Sequence, residues 1–123
     1  MTRKILYSPG WGAGWVSWND GKAAEIMLTY QPIIDFIEAG NSFTDKDFRG
    51  MYASNGKSKT HPILVQMVNE IREATGNPDE YVCILGADDL RVATVSGRVR
   101  IDEYDGNESF TEEGSPENES EWR

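Results

Sequence analysis

The segment HPILVQMVNEIREATG, His61 to Gly76, constrains the chain more than any other stretch. Ile63, Leu64, Met67, Val68 and Ile71 recur at helical spacing, so a helix gathers them into one apolar stripe, with Gly76 as its stop. Such a stripe is stable only when another element covers it. Three strand-like runs follow: Tyr81 to Leu85, Leu90 to Val95, and Arg98 to Tyr104. A short strand, Lys4 to Tyr7, precedes two helix-favouring pieces, Ala23 to Tyr30 and Pro32 to Ala39. Pro32 suits a first helical position and Gly40 a helix end. The sequence leaves open whether these pieces form one kinked helix or a pair. Asn41 to Thr60 is polar and reads as loop. This order predicts an α+β fold with an antiparallel sheet.

The charge is uneven. Of a net −9 over 123 residues, residues 102–123 hold nine acids against Arg123, and the rest of the chain is close to neutral. The length fits one domain. We therefore expect a ligand-binding domain over 1–109 and a disordered acidic tail over 110–123. A near-neutral body disfavours a long nucleic-acid duplex, which needs an extended basic face. It still has room for a local basic pocket that takes a small anion. The single cysteine, Cys83, excludes an internal disulfide and suits a reducing cytosol. The single histidine, His61, removes most metal-ligand and Ser/His chemistry, so no metal or cofactor is expected. No run reaches the length of a membrane span, and MTRKILY lacks the apolar run of a signal peptide. His61, before Pro62, reads as a helix cap or surface residue. Cys83 reads as buried packing, and Asp88 and Asp89 as turn residues. Arg49, Lys57 and Lys59 read as solvated charges, with a second anion site in an oligomer as the alternative.

The stretch LRVATV-SG-RVRIDEY reads as a hairpin around a two-residue Ser96–Gly97 loop. That loop would set Val95 opposite Arg98, Ala93 opposite Arg100 and Arg91 opposite Asp102, the last as an ion pair. Leu90, Val92, Thr94, Val99 and Ile101 would then face the core. Arg98 and Arg100 would share the other face about 7 Å apart, a span suited to two phosphates. The plainer alternative is that both arginines solvate an outer strand face.

YSPGWGAGWVSWND, residues 7 to 20, packs three tryptophans and a tyrosine around Gly10, Gly12 and Gly14. No Walker lysine follows, and the segment runs into an Asn19-Asp20-Gly21 turn, so it is not a phosphate loop. A glycine-framed aromatic wall beside Arg98 and Arg100 makes a reasonable nucleotide pocket, with Tyr7, Trp11 and Trp15 as the candidate rings. Each base stacked on an aromatic ring gains about 1–3 kcal/mol. The alternative is that these tryptophans cap the core or form an oligomer interface.

Four pieces, KILYSPGWGAGW, LTYQPIIDFIEAG, HPILVQMVNEI and SGRVRIDEYDGNES, together resemble the phage Thoeris anti-defence proteins of the first type. The similarity covers most of residues 3 to 109, and YSPGWGAGW and RVRIDEYDG are its most specific parts. This resemblance implies a non-enzymatic sponge that sequesters cyclic ADP-ribose signals made by bacterial TIR proteins, in the cytoplasm of the infected host. It implies a homodimer with helices packing between protomers, assembling further into a hexamer, and for some members cyclic oligonucleotides at separate sites. It carries over Arg98 and Arg100 as phosphate and ribose ligands and Trp15 as the pocket wall. The stretch Met67 to Ile71, where an adenine-stacking aromatic is expected, holds none. Two other classes stay open: a cyclic-nucleotide hydrolase, and an acidic protein–protein inhibitor acting through the tail.

Overall fold

A computed structural model describes residues 2–10, 14–44, 47, 61–112 and 122–123. Its elements run β1 (Arg3–Tyr7), α1 (Gly21–Leu28), α2 (Gln31–Glu38), α3 (Pro62–Thr75), a 3-10 turn (Ala87–Asp89), β2 (Arg91–Val95), β3 (Val99–Tyr104) and β4 (Asn107–Glu112). The fold is α+β with two antiparallel two-stranded sheets, β1–β2 and β3–β4. No described helix is long and apolar enough to cross a membrane.

α3 is the helix that the apolar stripe predicts. Leu64, Met67, Val68 and Ile71 are buried, and α3 packs against α1. His61 caps it: the imidazole Nδ1 accepts the Ile63 amide at 3.2 Å. Gly76 ends it at φ +70, and the Gly76 and Asn77 amides bond back to the last turn. The earlier helical stretch is a pair. Tyr30 is extended at the junction, and Pro32 lies in the first turn of α2, where its missing amide has no partner to lose. Cys83 is buried, as expected, and burial pushes its thiol pKa up.

The sheet corrects the expected hairpin. β2 pairs with β1, setting Val95 opposite Arg3, Ala93 opposite Ile5 and Arg91 opposite Tyr7. β3 pairs instead with β4, setting Val99 opposite Glu112 and Tyr104 opposite Asn107. The tight turn is Asp105-Gly106, where φ is +51 and +85, the pair of positive values that a type I′ turn requires. Neither Ser96 nor Gly97 has a positive φ, so the two-residue I′ or II′ turn of the expected hairpin does not form there. With the register changed, Val95 is buried, Thr94 is exposed, and the expected Arg91–Asp102 pair does not form. Tyr81 to Leu85 is not a strand; it has one bridge residue, Cys83. There the Asn19 side chain stands in for a strand neighbour, accepting the Cys83 amide and donating to its carbonyl, both at 2.9 Å.

The expected tail boundary also moves. Residues 110–112 belong to β4, and Phe110 packs edge-on against Tyr7 with ring centroids 5.3 Å apart. Arg123 exchanges two backbone bonds with Val99, at 2.9 and 3.1 Å, and Trp122 is 9% exposed. Residues 113–121 lie outside the described residues.

Candidate functional site

Two features organise the end of the molecule that carries the glycine-rich stretch. The first is Glu108 on β4, whose side chain is carried to the protein interior and is 1% exposed. Its Oε1 accepts the Ser8 amide at 2.9 Å. Its Oε2 accepts the Trp15 amide at 3.0 Å, the Ser17 amide at 2.6 Å and the Ser17 hydroxyl at 2.5 Å. A buried carboxylate is tolerated only with its oxygens satisfied, and four donors satisfy these. One side chain therefore ties together the two flanks of the Gly10–Gly14 segment. The Glu108 amide donates to the Ser8 carbonyl at 2.8 Å, so the β3–β4 hairpin is joined to the end of β1.

Gly10 and Gly14 serve the protein's own packing. A Cβ on Gly14 would come within 2.5 to 2.7 Å of Trp18 and Ser17 atoms, and one on Gly10 would collide with the Asp89 carboxylate. Trp15 is fully buried, and its indole N–H donates to the Met27 carbonyl at 2.9 Å. This corrects the expectation that Trp15 walls a ligand pocket: a ring with no exposed face cannot stack on a ligand. Tyr7 is half-buried on β1 against Phe110. Trp11 lies outside the described residues, as do Arg49, Lys57 and Lys59.

The second feature is an open cavity of about 520 Å³ between β3 and the segment Val16–Asn19. It is lined by Val16, Ser17 and Asn19 on one side, by Arg100, Ile101, Asp102 and Glu103 on the other, and by Arg123. Strand alternation explains the placement. Val99 gives both its backbone groups to Arg123, so the backbone of Arg100, Asp102 and Tyr104 faces β4, and that of Ile101 and Glu103 faces the opposite edge. Arg100 lies over the Trp122 ring, 5.4 Å from its centroid, and its Nε donates to Asp102 Oδ1 at 2.9 Å. Asp102 Oδ2 also accepts the Thr111 hydroxyl at 2.7 Å. Glu103 Oε1 accepts the Trp18 indole N–H at 3.2 Å and the Gly106 amide at 2.5 Å.

No protein-family profile, curated protein or solved structure matches this chain. Of the expected residues that are described, Arg100 alone is among the cavity's lining residues. Arg98 is half-buried just before β3 and is not among the lining residues. A shared strand face with Arg100 needs both residues in one strand, and β3 begins only at Val99. The structure adds Arg123, Ser17 and Asn19 to the lining, Trp122 beneath Arg100, and Glu108 behind Ser17. The Asp-Gly turn flanked by Tyr104 and Asn107 marks the true hairpin in the sequence, and so carries a signal for β4. Nothing in composition singles out Glu108 from the acids around it.

Proposed function

We propose that this chain is a non-enzymatic binding protein that captures a cyclic ADP-ribose-type signalling nucleotide and withholds it from its effector. The observation that carries the reading is one cavity of about 520 Å³ with two guanidinium-bearing residues, Arg100 and Arg123, on its lining. That volume is within the range of roughly 300–1,000 Å³ usual for small-molecule sites. Arginine suits a pyrophosphate because its planar fork holds two oxygens at once. The Ser17 hydroxyl oxygen, which keeps acceptor capacity beyond the bond it donates to Glu108, can take a ribose hydroxyl.

Arg100 already has an anionic partner, and its weakness is what makes exchange feasible. The Arg100 and Asp102 side chains are 35% and 40% exposed. Ion pairs that open to solvent contribute about 0–1 kcal/mol, so a phosphate can take Asp102's place at little cost. Both lining carboxylates are occupied as acceptors, Asp102 by Arg100 and Thr111 and Glu103 by Trp18 and Gly106. On binding only the Arg100 bond would open; Asp102 keeps the Thr111 hydroxyl and Glu103 keeps both of its donors. The resemblance carried by YSPGWGAGW and RVRIDEYDG supports the same reading, and with it a homodimer, a hexameric assembly and action in the cytoplasm of an infected bacterium. A second cavity, lined by Thr2, Arg3, Lys4, Thr29, Gln31 and Thr94, is where a cyclic oligonucleotide would belong in that reading.

The test is calorimetry of the full chain with cyclic ADP-ribose isomers, followed by heat denaturation and identification of what is released. Submicromolar binding with unchanged ligand supports capture. A cleaved product makes the protein a hydrolase, and no binding to any isomer removes the reading.

A further inference from the structure

Glu108 has no place among the cavity's lining residues, yet it holds one of its walls. Ser17 lines the cavity, and both its amide and its hydroxyl are spent on Glu108 Oε2, at 2.6 and 2.5 Å. Glu108 stands on β4, opposite Glu103 of β3, and Glu103 lines the other wall. One buried carboxylate thus spans from the strand that backs one wall to the segment that forms the other. The far end of that segment is fixed separately, by Asn19 on the carbonyls of Trp15 and Cys83.

We propose that Glu108 is a positioning residue for ligand capture, setting the spacing between the Ser17 wall and the Arg100 wall. The inference rests on the cavity being the nucleotide site. Its physical basis is that a ligand spanning two walls gains all its contacts together only if their separation is held before binding. Glu108→Asp keeps both acceptor oxygens but withdraws them by one methylene, and the Ser17 wall has to follow or lose its bonds. Glu108→Gln keeps the length but replaces one acceptor with an amide donor that faces other donors.

The experiment measures cyclic ADP-ribose affinity, stoichiometry and melting temperature for wild type, Glu108→Gln, Glu108→Asp, Ser17→Ala and the Glu108→Gln/Ser17→Ala double variant. The expected result is affinity at least about tenfold weaker in Glu108→Gln at unchanged stoichiometry, well below its melting temperature. The double variant should bind no more weakly than Glu108→Gln alone, because Glu108 acts through Ser17. A purely structural role lowers the melting temperature and leaves the affinity of the folded fraction at the wild-type value; that outcome overturns the proposal and leaves the capture reading standing. If Glu108→Gln does not fold, Glu108→Asp decides by the same criterion. If the wild type binds no isomer, the capture reading fails first and the positioning role falls with it.

Discussion

Glu108 and Asp102 stand on neighbouring strands of one hairpin, and both accept hydrogen bonds through both carboxylate oxygens. Glu108 is 1% exposed and takes its bonds from three backbone amides and one hydroxyl. Asp102 has a side chain 40% exposed and takes its bonds from the Arg100 guanidinium and the Thr111 hydroxyl. The difference is one of alternatives. The buried Ser8 and Trp15 amides have no water to turn to, so Glu108 cannot let go without orphaning them. A half-exposed arginine can exchange one anion for another, so Asp102 can. One carboxylate belongs to the frame, and the other holds the place that a ligand would take in the proposed capture.

Removing each carboxylate separates the two roles most sharply. Glu108→Ala leaves four donors without their acceptor and should cost about 4 kcal/mol or more, read as the shift in urea unfolding. That is comparable to the whole stability of a small domain, so failure to fold is within the expected range. Asp102→Asn should change stability by about 1 kcal/mol or less. It should also raise affinity for the nucleotide, because it removes the competitor at Arg100. Equal stability losses in the two variants would break the comparison.

The next effect tests how tightly the frame around Glu108 is packed. Gly14→Ala places a Cβ against Ser17, which Glu108 pins, and against the Trp18 ring. We expect a loss of about 1–3 kcal/mol. Gly10→Ala meets the end of the Asp89 side chain, which can rotate away in part, and should cost less. Thermal unfolding of the two variants side by side checks the order.

A smaller effect follows from pH. Burial pushes the Cys83 thiol up from 9.0. Burial, and then the hydroxyl bond that Tyr30 donates to Glu70, push the Tyr30 phenol up from 10.0. The folded chain therefore keeps protons that the unfolded chain releases, so this contribution is intact below about pH 9 and stability falls as pH rises beyond it. Urea midpoints at pH 8 and pH 10.5 should show the fall, and Cys83→Ala with Tyr30→Phe should flatten it.

Much of the fold is legible in the sequence because local patterns decide it. The stripe of Leu64, Met67, Val68 and Ile71, the His61 cap and the Gly76 stop each act within a few residues. Pro32 marks the start of α2 in the same way. Strand pairing is not local: Ser96–Gly97 has the length of a hairpin loop, but Asp105-Gly106 makes the turn. Exchanging the two turns sets β3 beside β2, separates Arg100 from its real neighbours and leaves residues 110–112, the end of β4, in the tail. The tryptophans show the same limit. Trp15 and Trp122 are alike in composition, but Trp15 is sealed in the core, whereas Trp122 is brought under Arg100 by backbone pairing at Arg123. Only long-range contacts distinguish them.

The most direct measurement of the central claim is calorimetric titration of cyclic ADP-ribose isomers into Arg100→Ala, Arg123→Ala and Arg98→Ala, with circular dichroism confirming that each variant is folded. Capture in the Arg100 cavity predicts that Arg100→Ala and Arg123→Ala lose affinity by about tenfold or more, since each removes a charge-assisted bond to phosphate. It predicts that Arg98→Ala, outside the cavity lining, keeps most of it. Wild-type affinity in Arg100→Ala, or loss confined to Arg98→Ala, would contradict the assignment.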